Sequence, residues 1–169
     1  MTSVRPVEGP VLSELYHEHY RSLVKLASLM IDDVATCEEV VQDAFVAIHR
    51  RGLSDVEPDR VPAYLRSAVL NGARSQLRRR SVRDRLRPVP DLPIVQSPER
   101  GAELSEDRRA VLTALRSLPD RQREVLVLRY WMELDEAEIA ATLGISAGTV
   151  KTHAHRGLAA LASRLENLR

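Results

Sequence analysis

The chain has 169 residues, of which 44% are hydrophobic, so it can form one ordinary domain or two small ones. No apolar run approaches the ~20 residues that cross a bilayer, and the N-terminus lacks the apolar core of a signal peptide. We therefore expect a cytoplasmic protein with no membrane insertion. The single cysteine, Cys37, excludes an intramolecular disulfide and a cysteine-based zinc site.

The net charge is only +1, but the charges are separated into blocks. Residues 32–43 carry five carboxylates and no Lys or Arg, whereas residues 74–87 carry seven Arg and one Asp. Separate blocks of opposite sign indicate two different partners, one basic and one polyanionic.

Nearly every periodic segment has helical spacing, which predicts an all-α fold. The first helix is expected from about Val11 to Met30. In the second, the apolar residues recur at i, i+3, i+4 and i+7 and form the inward face: Cys37, Val40, Val41, Ala44, Phe45 and Ile48. The same periodicity places polar residues on or near the outward face: Glu38, Glu39, Gln42 and Asp43.

A loop is predicted at 51–61 by its Gly, Ser, Asp and Pro content, and a third helix begins near Pro62 and ends in a run of arginines. Four prolines then exclude a continuous helix and predict an extended linker: Pro88, Pro90, Pro93 and Pro98. The expected architecture is two small helical domains joined by this Pro-rich linker. Their expected bounds are a tail at 1–10, a first domain at 11–86, the linker at 87–105 and a second domain at 106–169.

The last part of the chain predicts a helix-turn-helix. Asp135 is an N-cap with Glu138 three residues later, Gly144 provides a turn, and Ser146 caps a second short helix. At 100° per residue, one face of the second helix is predicted to pack inward: Val150, Ala154, Leu158 and Leu161. Thr149, Thr152, His155 and Arg156 point away from that face, and Lys151 and His153 flank it.

A metal site is not expected at the paired histidines. His153 and His155 lie two positions apart on one helix, so their side chains diverge by about 160°. The same objection applies to His17 and His19.

Two parts of the chain carry motifs of a known family. The first is CEEVVQDAFVAIHRR followed by YLRSAVLNGARSQLRRR, and the second is SLPDRQREVLVLRYWMELDEAEIAATLGISAGTVKTHAHRGLAAL. In this order they resemble an extracytoplasmic-function (ECF, group 4) sigma factor of bacterial RNA polymerase, of the SigE-like actinobacterial type. The resemblance covers about 12–161. It implies a non-catalytic protein without a cofactor that binds core polymerase, directs it to a two-part promoter and helps to melt the DNA. It also implies contact with the polymerase β′ and β subunits, and regulation by an anti-sigma factor.

The resemblance assigns roles to residues of this sequence. The outward face of the second helix would dock on the β′ clamp helices through Glu39, Gln42 and Asp43. The loop that holds a flipped-out base corresponds to Gly52, Leu53, Ser54 and Asp55. The minus-ten element would be met by Asn71, Arg74, Arg78, Arg79 and Arg80, and the minus-thirty-five element by Thr149, Lys151, Thr152, His155 and Arg156.

Other readings stay open. A classical transcription factor could carry the same helix-turn-helix and sense a signal through 11–86, although no strand pattern of a receiver domain is present. An interaction-only helical protein, such as an anti-sigma-like regulator, is a second alternative. The sequence does not favour an enzyme, because it has no P-loop, no Cys/His dyad and no pattern of metal-binding residues.

Overall fold

The computed structural model describes residues 9–52, 56–86 and 106–167. These residues form helices and one 3₁₀ turn, at Pro58–Arg60, with no strand in the described ranges. None of the helices found there has the length and apolar character to span a membrane. The helices are α1 (Gly9–Met30), α2 (Val34–Arg51), α3 (Val61–Leu86), α4 (Glu106–Arg116), α5 (Asp120–Tyr130), α6 (Glu136–Leu143) and α7 (Ala147–Glu166). The all-α prediction is confirmed, while the predicted linker at 87–105 lies outside the described residues.

The N-terminal helices, α1 to α3, pack pairwise on one another. Asp33 is the N-cap of α2, because its carboxylate accepts a hydrogen bond from the Thr36 N–H at 2.8 Å. The six apolar residues predicted to face inward on α2 are all buried. The amphipathic pattern therefore positions α2 with its charged face outward.

Cys37 lies in this core and is almost fully buried. Burial, with a smaller contribution from Asp33, raises the pKa of the Cys37 thiol to about 11. Because the thiolate is the reactive species, we expect iodoacetamide at pH 8 to leave Cys37 unmodified in the folded protein and to alkylate it in urea. Mass spectrometry measures the modified fraction; rapid alkylation without denaturant would contradict the buried position.

Gly72 lies in the middle of α3, where glycine is normally unfavourable by roughly 0.5–1 kcal/mol. A Cβ at this position would come within 2.8 Å of Val40 Cγ1. Val40 is buried on α2 and its branched side chain has little freedom to move. Gly72 therefore permits the close approach of α2 and α3.

We expect Gly72→Leu to lower the free energy of unfolding by about 1–3 kcal/mol, since the added atoms overpack the α2–α3 contact. Urea denaturation followed by circular dichroism measures the change. Ser75→Leu, on an exposed position of the same helix, is the matched control and should stay close to wild type. Equal stabilities of the two variants would contradict the close contact.

Among the C-terminal helices, α4 to α7, α5 is the most deeply buried. Six consecutive residues of α5 are buried, Arg123 to Leu128, so this helix is covered on all sides. It contacts α6 and α7, and also α1 of the N-terminal helices. The N-terminal and C-terminal helices share one connected cluster of buried apolar residues, because α3 packs on α6 and α1 on α4 and α5.

Candidate functional site

The outward face of α2 carries the predicted acidic side chains. Glu39, Gln42 and Asp43 are all exposed, so their predicted orientation is confirmed. Val46 follows on the same face, four residues after Gln42, and is 43% exposed. This acidic surface (Glu39, Gln42, Asp43 and Val46) therefore combines negative charge with one accessible apolar side chain.

The second half of α3 carries a basic surface. Asn71, Arg78 and Arg79 are exposed. Arg78 and Arg79 border a shallow surface depression together with Val82, Arg83 and Leu86. Arg80 Nη1 donates a hydrogen bond at 2.7 Å to Oδ1 of Asp32, the residue before the α2 N-cap.

Arg74 is placed differently from its arginine neighbours. Its Nε lies 2.9 Å from Glu124 Oε1 on α5, with the Arg74 side chain 17% exposed and the Glu124 side chain 0% exposed. Its Nη2 donates to Asn71 Oδ1 at 2.5 Å. Arg74 thus bridges α3 and α5. The helical periodicity of α3 does not indicate this contact.

Glu124 is a buried carboxylate between two cations. Arg121 Nη1 donates to its Oε2 at 3.0 Å, while the Arg74 Nε–H is directed at the Leu70 carbonyl oxygen at 3.4 Å. The contact with Arg74 is therefore an ion pair without hydrogen-bond geometry, and Oε1 finds no hydrogen-bond partner within the described ranges. Burial raises the pKa of Glu124 above its ordinary value, and Arg74 and Arg121 offset this only in part.

The predicted flipped-base loop is described only at its start. Gly52 has φ 74°, a positive value that suits glycine, and its N–H donates to the Ile48 carbonyl at 2.9 Å to end α2. Leu53, Ser54 and Asp55 lie outside the described residues.

The helix-turn-helix prediction is confirmed in its local detail. Asp135 and Glu138 form a reciprocal capping box, with hydrogen bonds of 2.8 and 2.9 Å. Gly144 ends α6 in the left-handed conformation, with φ 65° and ψ 37°. Ser146 caps α7 by accepting from the Thr149 N–H at 3.1 Å.

The face of α7 predicted to meet DNA points to solvent. Thr152, His155 and Arg156 are exposed. Thr149 is half-buried, and its hydroxyl lies 2.8 Å from that of Ser146. Lys151 is 71% exposed, with Nζ 3.6 Å from Glu136 Oε1. Among the described residues, the side chains of His155 and Arg156 have no hydrogen-bond or ion-pair partner, and Lys151 lies beside them near the Glu136 carboxylate.

The inward face of α7 differs from the prediction at one position. Val150 and Ala154 are buried and Leu161 is half-buried, as expected, but Leu158 is 43% exposed, so its predicted burial is wrong. Gly157 takes the buried place instead: a Cβ there would lie 3.1 Å from Leu126 Cδ1. This glycine therefore lets α7 approach α5 closely. The helix runs from Ala147 to Glu166, so it is longer than the short helix predicted.

No metal-binding group forms within the described ranges. His153 is half-buried and His155 is exposed, consistent with the divergence predicted for side chains two positions apart. In the part of the chain that the structure describes, no group of three or more His, Cys, Asp and Glu side chains could hold a metal ion.

Reasoning from the sequence missed Glu124, Arg123 and Val46. Arg123 is almost fully buried and donates to the Arg116 carbonyl and the Asp120 carboxylate, each at 2.7 Å. The run Val125–Leu128 was the available signal: four consecutive apolar residues cannot share one helix face, so α5 had to be buried on several sides.

The comparisons with known families match both halves of the chain. Sigma-70 region 2 matches residues 15–83, and sigma-70 region 4 matches residues 108–161. The RNA polymerase sigma-E factor of Streptomyces avermitilis is 33% identical over 94% of this chain and 88% of its own length. The ECF RNA polymerase sigma factor SigM of Mycobacterium tuberculosis is 32% identical over 90% and 76%.

Two solved structures share the fold. CnrH in complex with the cytosolic domain of CnrY is 28% identical, covers 95% of this chain and 91% of its own, and superposes with a TM-score of 0.70. The sigma factor RpoE in complex with the anti-sigma factor NepR, from Bartonella quintana, is 21% identical, covers 94% and 99%, and gives a TM-score of 0.72. Together with region 2 and region 4 in this order, these relatives show that the chain belongs to the extracytoplasmic-function family of RNA polymerase sigma factors.

Proposed function

We propose that this protein divides promoter-specific transcription initiation between its two halves. The N-terminal helices bind core polymerase and help to open the minus-ten element, and the C-terminal helices read the minus-thirty-five element. The observation that carries this division is the separation of an exposed acidic surface on α2 from an exposed polar face on α7. The corresponding domain bounds are 11–86 and 106–169.

The acidic surface is proposed to bind the basic clamp helices of the β′ subunit. Glu39 and Asp43 provide the charge that steers association, and Val46 provides apolar area to be buried. Gln42 lies between them and offers both a donor and an acceptor. An acidic face with an accessible apolar residue is better suited to a basic protein surface than to DNA.

The basic surface of α3 is proposed to bind the minus-ten element. Arg78 and Arg79 are exposed and suited to phosphate contacts, which add affinity without reading sequence. Asn71 has the amide chemistry to contact an unstacked base, and 52–55 is proposed to hold the flipped one. Arg74 and Arg80 join this surface when they exchange their carboxylate partners for phosphate.

The face of α7 is proposed to enter the major groove at the minus-thirty-five element. Arg156 and His155 are free to donate to base edges, and Lys151 and Thr152 lie where phosphate contacts would support them. Thr149, at the capped N-terminus of α7, is proposed to contact the sugar-phosphate backbone of the DNA. The protein itself carries out no catalysis in this scheme and needs no cofactor, because phosphodiester bond formation belongs to the polymerase, in the cytoplasm.

An anti-sigma factor is proposed as a further partner. The sigma factor RpoE of B. quintana is described in complex with one, and both the acidic surface of α2 and the α7 face at Arg156 are exposed here. We expect such a protein to co-purify from the native host. Recovery of the chain only in free form or with polymerase would count against it.

The function is tested by run-off transcription with purified core polymerase and the upstream regions of transcripts induced by overexpression. The expected result is specific initiation that depends on this protein. A classical helix-turn-helix regulator would instead bind duplex tightly in a gel shift without polymerase. Tight duplex binding alone, with neither core binding nor run-off product, would overturn the proposal.

A further inference from the structure

Among the residues that the structure describes, three arginines connect the N-terminal helices to the C-terminal helices. Arg66 Nε on α3 donates to Thr142 Oγ1 on α6 at 3.3 Å. Arg116 Nη2 on α4 donates to the Ser28 carbonyl oxygen at the end of α1, at 2.6 Å. Arg74 forms the ion pair with Glu124 described above. These contacts hold α1 and α3 against α4, α5 and α6.

The Arg74 contact differs from the other two because its cation belongs to the surface proposed to meet minus-ten DNA. Its guanidinium is engaged with Glu124 and also with Asn71. Arg74 and Asn71, two of the five residues proposed to contact minus-ten DNA, are therefore engaged within the chain. By contrast, His155 and Arg156 on α7 stay exposed in the same arrangement.

We propose that the Arg74–Glu124 ion pair is an autoinhibitory latch, in which Glu124 competes with promoter DNA for Arg74. In the closed protein the Glu124 carboxylate is paired with the Arg74 guanidinium, which is therefore not available to a DNA phosphate. Opening separates the two halves and transfers Arg74 from the Glu124 carboxylate to a DNA phosphate. The latch rests on the proposed function, since it takes Arg74 to be a minus-ten contact.

The surroundings of Glu124 make the latch releasable. Its carboxylate is removed from water, and its Oε1 lacks a hydrogen bond within the described ranges. The ion pair therefore regains only part of the cost of desolvation. Arg121, on the same helix as Glu124, stays beside the carboxylate after opening, so Glu124 keeps one cationic partner when Arg74 leaves.

Removal of Arg74 should open the full-length protein. Arg74→Met leaves the buried Glu124 carboxylate without its cross-helix cation, which should shift the equilibrium toward the open form by about tenfold or more. Small-angle X-ray scattering is then expected to give a radius of gyration above the ~15 Å of a compact chain of this length. Arg78→Met, an exposed arginine of the same helix, is the matched control and should scatter like wild type.

A double substitution separates the latch from a general loss of folding. Arg74→Met with Glu124→Met replaces the ion pair by two apolar side chains of similar volume, which proteins often tolerate without loss of stability. The double variant is expected to return to the compact radius of gyration. Circular dichroism should show the same helix content in wild type, single and double variants.

Release of Arg74 should strengthen binding to single-stranded DNA. Glu124→Gln keeps Arg74 but removes the competing charge, so we expect the free protein to bind a fluorescent, mixed-sequence single-stranded oligonucleotide severalfold more tightly than wild type. Binding to mixed-sequence duplex through the exposed α7 face should stay unchanged. Glu14→Gln, an exposed carboxylate of α1, is the matched control.

The latch is overturned if Arg74→Met scatters like wild type, if the double variant stays expanded, or if Glu124→Gln binds single strands no more tightly. Those failures would leave run-off transcription by the wild-type protein with core polymerase intact. Failure of run-off transcription, with the scattering results as expected, would instead overturn the proposed function and keep the closed arrangement. The two proposals therefore fail by different measurements.

Discussion

Reversing the charge of the acidic surface, by Glu39→Arg with Asp43→Arg, is expected to abolish binding to core polymerase. Both side chains are exposed, so the substitution leaves the core of α1 to α3 unchanged. Two attractive contacts with a basic partner become repulsive, and we expect affinity to fall by about 100-fold or more. Biolayer interferometry with immobilised core polymerase measures the loss.

The matched control is Glu14→Arg, which reverses an exposed carboxylate on α1, outside the acidic surface. It should bind core polymerase as wild type does, apart from a small change in association rate from net charge. Val46→Ser should weaken binding without altering its salt dependence, because it removes apolar area only. Normal core binding by the double charge reversal would contradict the assignment of this face.

Truncating two exposed side chains of α7, by His155→Ala with Arg156→Ala, is expected to abolish transcription that depends on the minus-thirty-five element. A well-placed arginine contact to a base edge contributes about 1–3 kcal/mol of discrimination, so the loss from Arg156 alone should be about 10- to 100-fold. Core binding should be unchanged, because neither residue lies in the acidic surface. Run-off transcription with excess core polymerase measures the effect.

Lys151→Ala provides the informative contrast on the same helix. Its ammonium lies near Glu136 and is suited to contact a DNA phosphate. We therefore expect the affinity for DNA to fall about equally for all sequences, and the slope of log affinity against log salt concentration to decrease in magnitude by about 1. Ser163→Ala, an exposed position further along α7, is the control for helix stability. If Arg156→Ala left promoter selectivity unchanged, α7 would not read the bases through that residue.

Local order followed the sequence closely. The 3.6-residue period of α2 separated its buried and exposed faces correctly, because one amphipathic helix on one core has a single stable orientation. The caps at Asp33, Asp135 and Ser146 and the turn at Gly144 were also predictable, since each satisfies backbone groups within four residues of itself. Short-range chemistry of this kind needs no knowledge of the rest of the chain.

Positions where helices meet were less predictable. Gly157 rather than Leu158 faces α5, and Gly72 admits Val40, because the absence of a side chain becomes an advantage only beside a particular neighbour. A helical wheel assigns faces by hydrophobicity and therefore overlooks a buried glycine.

The amino-acid sequence sufficed for the helices, their caps, the family and the two charged blocks, since all of these are encoded in periodicity and in contiguous motifs. Only the tertiary structure revealed that Arg74 of the basic block lies against Glu124, 50 positions further along the chain. From the sequence of one helix, a charged residue is predicted to be exposed, because the sequence does not show whether a second helix packs over it. Which arginines of α3 stay exposed and which are held by the chain itself is therefore decided by the packing of α3 on α6 and by the contact of Arg74 with Glu124 on α5.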